Sequence, residues 1–157
     1  MTLRPIQPAP LVKSILLLGT VFSLLMVASA SLAAEAPTGT LTVTFEGIKT
    51  KTGSVMLSLT GSLDSYDGKA PIAGQAMVPV TGDAVTTTFK GLAPGRYAIK
   101  AFHDVNGDGQ MGSNPFGMPT EPFAFSNNAH GVMGPAKWEA AAFDVKAGDN
   151  IHTIAID

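Results

Sequence analysis

The residues best suited to chemistry in this sequence follow one another between Asp104 and Gln110. Asp104, Asn106 and Asp108 alternate along the chain, and Gly109 permits the sharp turn that would curl them around one centre. Hard cations such as Ca²⁺ bind several oxygens, and the backbone carbonyl of Gln110 would supply a further one. The spacing therefore predicts a weak calcium site formed by these three side chains and that carbonyl.

The loop lacks parts of a complete calcium site. Counted from Asp104 as in an EF-hand, the ninth position is Gly112 and the twelfth, normally a bidentate Glu, is Pro115. Water or the more distant Glu121 would have to complete the ligand set. The alternative is that the Asp and Asn oxygens accept hydrogen bonds from nearby backbone N–H groups and hold the loop without an ion.

Two histidines and a serine around this loop raise the question of catalysis. His103 precedes Asp104, and Ser126 lies four residues before His130. A small hydrolase or metalloenzyme would use such groups as nucleophile and base. However, no G-x-S-x-G turn surrounds Ser126, and His103 has the same strand parity as predicted core residues. The residues favour a non-catalytic domain, and the hydrolase is the alternative.

Methionines in the same part of the chain suggest a second alternative, a copper-handling protein. Met111, Met118 and Met133, together with His130, are soft or borderline ligands that suit copper in an exported protein. Methionine also fills gaps beneath loops without binding anything.

Aromatic and amide residues between 123 and 138 indicate a ligand or partner surface. Phe123, Phe125 and Trp138 would line it, with Asn127 and Asn128 as its polar groups. The alternative is that the aromatic rings attach this segment to the rest of the domain, because large rings contribute much of the packing energy in proteins.

Alternation of apolar and polar residues predicts the elements that would position these groups. A period of two is typical of half-buried strands, and clusters of Gly, Pro and Asp separate the alternating segments. Seven strands are predicted, over residues 41–46, 53–60, 75–80, 84–90, 97–103, 140–146 and 150–156. This pattern predicts an all-β, antiparallel, seven-stranded sandwich. Residues 47–53 and 82–83 have the composition of hairpin loops.

One long segment does not show this alternation of apolar and polar residues. Residues 104–139 contain no convincing strand and many Gly and Pro residues. They also contain Phe116, Phe123, Phe125 and Trp138, which are too many aromatics for a disordered tail. We interpret the segment as an ordered loop insertion packed against one end of the sandwich.

The N-terminal residues have the three-part pattern of a secretory signal peptide. Arg4 and Lys13 precede an apolar run at 14–27, and Ala28-Ser29-Ala30 offers a cleavage site. The run is shorter than the roughly 20 residues of a membrane-spanning helix. We expect a removed signal peptide at 1–34, a short linker at 35–39 and a single domain at 40–157, without a transmembrane span in the mature protein.

Charge and cysteine content narrow the functional classes. After removal of residues 1–34, eight basic and twelve acidic residues remain, a net charge of −4. A mildly acidic domain without a basic cluster is a poor nucleic-acid binder. The chain has no cysteine, so its stability in a periplasmic or extracellular environment must come from the core rather than from disulfides.

Several motifs together resemble a known bacterial family. The segments HDVNGDGQM, FGMPTEPFAFSNN and GPAKWEAAAF, with the export signal, resemble the exported domain of unknown function 2141, from about Thr40 to Ile156. Separately, LAPGRYAIKA resembles a turn of prealbumin-like sandwich modules, including carboxypeptidase regulatory domains. These resemblances imply an Ig-like or prealbumin-like β-sandwich and an exported protein, but no particular reaction.

Overall fold

The computed structural model describes residues 36–156, and the structural statements below concern this range. The predicted signal peptide at 1–34 lies outside the described residues. The first strand begins within the predicted linker. The elements in chain order are β1 (Gly39–Glu46), β2 (Ser54–Thr60), α1 (Leu63–Tyr66), β3 (Gly74–Pro79), β4 (Ala84–Leu92), β5 (Gly95–Asp104), β6 (Phe123–Phe125), a 3-10 turn (Ser126–Asn128), α2 (Trp138–Ala141), β7 (Phe143–Val145) and β8 (Gly148–Ala155).

The strands form two sheets. The smaller sheet has the order β4-β1-β8, with β1 antiparallel to β4 and parallel to β8. The larger sheet has the order β3-β2-β5-β6, and β7 pairs with the beginning of β5. Pro79 ends the edge strand β3, where a missing N–H costs no ladder bond.

The core lies between the two sheets. Leu41, Val43 and Phe45 of β1 are buried, as are Leu59 of β2 and Ile99 of β5. Each such side chain contributes roughly 1.5–3 kcal/mol when it leaves water. The alternate residues of β2, β3, β5 and β6 point to the outer face of the larger sheet. The prediction of a predominantly β protein with two sheets is therefore confirmed.

Three details of the predicted fold are wrong. The sandwich is not wholly antiparallel, because the first and last strands pair in parallel through a long connection. The segment 104–139 contains an eighth strand, β6, which pairs with residues 100–102 of β5. Residues 140–146 form the end of α2 and only three residues of strand, since Trp138 and Ala141 are buried on one side of a helical turn.

The two predicted hairpins are also absent. Residues 47–53 connect β1 to β2, and residues 82–83 lie between β3 and β4, but in each case the two strands belong to different sheets. Both connections therefore cross from one layer to the other. The composition of a tight turn shows that the chain reverses there, but not which strands pair.

A second apolar cluster lies outside the main core. Its buried residues are Tyr66, Ala98, Phe125, Ala136, Trp138, Ala141 and Ala142. These residues attach α1 and α2 to the outer face of the larger sheet. Between residues 36 and 156 no helix is long and apolar enough to cross a membrane, since α1 and α2 have four residues each.

Candidate ligand-binding groove

The loop after β5 is held by its own side-chain oxygens. Asp104 Oδ1 accepts hydrogen bonds from the backbone N–H groups of Gly107 (2.8 Å) and Asp108 (3.1 Å), and its Oδ2 accepts one from Gly109 (2.9 Å). Oδ1 of Asn106 and Oδ1 of Asp108 each accept the N–H two residues further on. The bonds to Asn106 and Asp108 are Asx-turn hydrogen bonds, and together with those to Asp104 they stabilise the shape of the loop.

Glu121, the more distant acid considered as a calcium ligand, closes the base of this loop. Its two carboxylate oxygens accept the backbone N–H groups of Val105 and Gly112, both at 2.9 Å. No group of three His, Cys, Asp or Glu residues that could hold a metal ion is found among residues 36–156. The calcium site, with the Gln110 carbonyl as one ligand, stays a prediction.

The residues of the hydrolase alternative have separate surroundings. His103 is buried, and its Nε2–H donates to the carbonyl of Thr52 at 2.7 Å. Ser126 is fully buried, and its hydroxyl donates to the carbonyl of Ala141 at 2.6 Å. His130 is exposed. In the described part of the chain no hydrogen bond joins any two of these residues or Asp104, so they form no nucleophile–base pair here.

Asn127 and Asn128 form hydrogen bonds with the backbone of neighbouring elements. Asn127 Nδ2 donates to the carbonyls of Ala140 (3.1 Å) and Ala142 (3.0 Å), and Asn128 Oδ1 accepts the N–H of Ala155 (2.9 Å). Both asparagines have left-handed backbones, with φ of 58° and 49°, which asparagine tolerates better than most residues. They connect the turn after β6 to α2 and β8.

Trp138 packs in the outer cluster. Its ring meets Tyr66 edge to face, with centroids 5.7 Å apart, and the Tyr66 hydroxyl donates to the carbonyl of Ala136 at 2.7 Å. Burial, with a smaller contribution from Asp67, raises the pKa of Tyr66 to about 12. Trp138 therefore contributes to packing, and it also lines a small cavity of about 540 Å³.

A groove of about 1210 Å³ lies on the outer face of the larger sheet. Residues of β2, β3, β5 and β6 form its floor, and residues 111–119 and 131–135 supply its walls. Phe123 and Phe125 line it, with ring centroids 5.9 Å apart. The segment 104–139 thus lies along one sheet face, not across an end of the sandwich, because β6 joins that sheet.

All five methionines among residues 36–156 line this groove. They are Met56, Met77, Met111, Met118 and Met133. Thioether side chains are flexible and polarizable, so they adapt to ligands of varied shape. The three methionines considered as copper ligands therefore lie in one place, whereas His130 is not among the residues that line the groove.

The floor of the groove is divided into an apolar and a polar row. The strand register places one apolar row side by side across the sheet: Met77, Met56, Phe102 and Phe123. Two residues along each strand the register aligns the second row: Gln75, Ser58, Lys100 and Phe125. Among the residues that the structure describes, Lys100 is the only charged one that lines the groove.

The sequence predicts only part of this groove. Phe123 and Phe125 of the floor are predicted on a ligand surface, whereas Met56, Met77 and Phe102 lie in predicted strands without any motif that indicates binding. A signal was available, because several strands carry large apolar residues at positions opposite to the core. The sequence does not show which strands lie side by side, and the strand order decides whether such residues form one surface.

Comparison with known proteins gives a family but no described activity. A family profile described as an uncharacterized protein conserved in bacteria, DUF2141, matches residues 43–153. Neither a curated protein nor a solved structure matches the chain.

Proposed function

The chain belongs to the DUF2141 family of uncharacterized bacterial proteins, and from this premise we propose that it is an exported, non-catalytic domain that binds an apolar ligand in the groove. In this function the outer face of the larger sheet is the binding surface, and the wall segments 111–119 and 131–135 lie over it.

The observation that carries this proposal is the exposure of large apolar side chains at one place. Phe116 exposes 87% of its surface, Met77 65% and Met118 59%, and all three line the groove. Scattered apolar residues are ordinary on protein surfaces, but a contiguous exposed patch is typical of a binding site. Residues that only supported folding would be expected to lie in one of the two buried clusters.

Export is supported by the leader pattern at residues 1–34. The Ig-like or prealbumin-like type of the sandwich rests on the resemblance of LAPGRYAIKA and stays a prediction. N-terminal sequencing of the protein recovered from the periplasm or culture medium tests the first point. An experimental structure of the same protein tests the second.

The binding proposal is tested with Nile red, an uncharged apolar dye whose fluorescence rises in apolar surroundings. We expect the purified protein to bind it and a Met77→Asp variant to bind it at least tenfold more weakly. The control is Ile151→Asp, because Ile151 is 80% exposed on β8 of the other sheet. Equal loss in both variants, or no binding by the unmodified protein, would contradict the proposal.

A second candidate function is copper(I) binding by the methionines of the groove. The observation in its favour is that Met111, Met118 and Met133 come together with Met56 and Met77. Thioethers are soft ligands that select Cu(I). An anaerobic Cu(I) titration that leaves the Met133 methyl signals unchanged would exclude this function.

A triple variant separates the two functions. Met111→Leu, Met118→Leu and Met133→Leu together remove the thioethers while keeping apolar side chains of similar volume. Cu(I) binding should be lost in this variant and Nile red binding retained if both functions exist. A triple variant that loses Nile red binding but keeps Cu(I) binding would contradict both expectations: these thioethers would not be the copper ligands, and their apolar volume alone would not account for dye binding.

A further inference from the structure

The polar row of the groove floor brings three different hydrogen-bonding groups together. Ser58 pairs with Gln75 of β3 on one side and with Lys100 of β5 on the other. The row therefore offers an amide, a hydroxyl and an ammonium group on the outer face, beside the apolar row of Met56 and Met77. Two residues of a strand span about 7 Å, so one ligand can contact both rows.

The side chain of Lys100 is held in place by two contacts with Tyr66. Its Nζ donates to the carbonyl of Tyr66 at 2.6 Å and lies 4.0 Å from the centre of the Tyr66 ring. A lysine ammonium has three N–H donors, and the Tyr66 carbonyl takes one of them. The side chain is half-buried, and burial lowers the pKa of Lys100 from its ordinary value, with Asp67 opposing this effect.

The surroundings of Lys100 continue beyond the groove. The small cavity of about 540 Å³ shares Lys100 and Pro135 with it. Charged residues line this second cavity: Lys69, Lys100 and Lys137 against Asp67 and Glu139. One end of the combined surface is therefore polar with an excess of positive charge, whereas the other is almost entirely apolar.

We infer that the ligand is a long-chain amphiphile with a single anionic head group, its tail over the apolar row and its head at Lys100, Ser58 and Gln75. This inference rests on the proposed function and names the class of ligand for the same groove. A carboxylate accepts hydrogen bonds from all three groups, and a charge-assisted bond is the strongest kind available to it. The volume of about 1210 Å³ leaves room for an acyl tail, since ligand pockets commonly have about 300–1000 Å³.

The test compares amphiphiles that share a tail and differ in the head group. Tetradecanoate, tetradecanol and tetradecyltrimethylammonium compete with bound Nile red on the purified protein, each below its micelle concentration, at pH 8. We expect tetradecanoate to displace the dye at about tenfold lower concentration than tetradecanol, because of the charge-assisted bond. The ammonium compound should be the weakest competitor.

Substitutions at Lys100 locate the preference. Lys100→Gln should lose the distinction between acid and alcohol, so that the two compounds displace the dye at equal concentrations, whereas Lys100→Arg should keep the distinction. Lys90→Gln is the control, because Lys90 is an exposed lysine of β4 in the other sheet. If Lys100→Gln does not fold, the preference for an anionic head group is tested by comparing tetradecanoate with the ammonium compound, on the unmodified protein and on Lys100→Arg.

Each contrary result has a separate meaning. Equal displacement by acid and alcohol, with Nile red still bound, overturns the inference and leaves the apolar groove in place. Absence of Nile red binding overturns the proposed function itself. Sedimentation of the protein with anionic phospholipid vesicles, without displacement of dye by monomeric tetradecanoate, would mean that the groove faces a membrane surface, and this also overturns the inference.

Discussion

At the scale of single residues, His152 joins three parts of the domain. Its ring stacks on Phe143 of β7, with centroids 4.0 Å apart and planes 12° from parallel. Its Nε2 accepts the backbone N–H of Asn127 at 3.1 Å, so this nitrogen carries no proton in the folded state. Burial lowers the pKa of His152 below its ordinary value of 6.5.

This environment predicts a loss of stability in mild acid. Below pH 6.5 the unfolded chain takes up a proton that the folded ring resists, so the free energy of unfolding falls as the pH decreases. Well above pH 6.5 the ring is neutral in both states and contributes no pH dependence. Urea denaturation at pH 7.5, 6 and 5 should show this decline, and His152→Phe should reduce it. His130→Phe, at an exposed position, should not; an equal decline in all three proteins would contradict the prediction.

Asp104 is expected to stabilise its loop whether or not an ion binds there. Asp104→Asn replaces one acceptor oxygen by a donor, so that one backbone N–H faces another N–H group, which should cost about 1–3 kcal/mol. Urea denaturation in the presence of a chelator measures this cost. Unchanged stability of Asp104→Asn would mean that these hydrogen bonds contribute little.

The predicted calcium site has its own measurement on the same loop. Millimolar Ca²⁺ should raise the melting temperature of the unmodified protein, and substitution of Asp104 and Asp108 by Ala should abolish the rise. A melting temperature unaffected by calcium or by chelator would exclude a structural ion.

At the scale of elements, periodicity predicted strands well and their partners poorly. Alternation in β1, β2 and β5 identified the buried face correctly, including His103, because the side-chain direction follows from the backbone alone. The pairing of β1 with β8 connects residues more than 100 positions apart, and no local pattern encodes it. The three-residue strand β6 was missed because FAF is too short to show a period, so the floor of the groove could not be assembled from sequence.

Gly53, immediately before β2, is predicted to be irreplaceable. Its φ is 71°, and a Cβ there would lie 1.8 Å from the carbonyl oxygen of Asp104. Gly68 has a similar φ of 75° but nothing within 4 Å of the corresponding position. Gly53→Ala should therefore lower the free energy of unfolding by at least about 2 kcal/mol more than Gly68→Ala, which suffers only the backbone strain. Similar losses in both variants would show that the β2–β5 region relaxes around the added methyl group.

At the scale of the whole molecule, the larger sheet has apolar residues on both faces, and the two faces are covered to different extents. The inner face is sealed against the smaller sheet, where Phe45 of β1 is fully buried. The outer face is covered in part by the α1–α2 cluster and in part left open beneath Phe116 and its neighbours. We therefore expect folding and binding to depend on separate sets of side chains.

Two identical substitutions test this separation. Phe45→Ala should lower the free energy of unfolding by about 3–5 kcal/mol, because it opens a cavity in the core. Phe116→Ala should leave the free energy of unfolding nearly unchanged but weaken the binding of Nile red. Urea denaturation and dye titration of both variants measure the two effects. A large stability loss in Phe116→Ala would mean that the groove wall belongs to the folding core.

The concentration of methionine in the groove has a consequence for oxidative stress. The chain has no cysteine, so between residues 36 and 156 the sulfur atoms all belong to the five groove methionines. Peroxide or hypochlorite converts a thioether to a polar sulfoxide, which methionine sulfoxide reductases reverse. Such oxidants would therefore make the apolar groove hydrophilic, while the described core between the two sheets holds no sulfur that they could oxidise. If the groove takes up a ligand as proposed, oxidation would abolish that uptake, and repair enzymes would restore it without the protein being resynthesised.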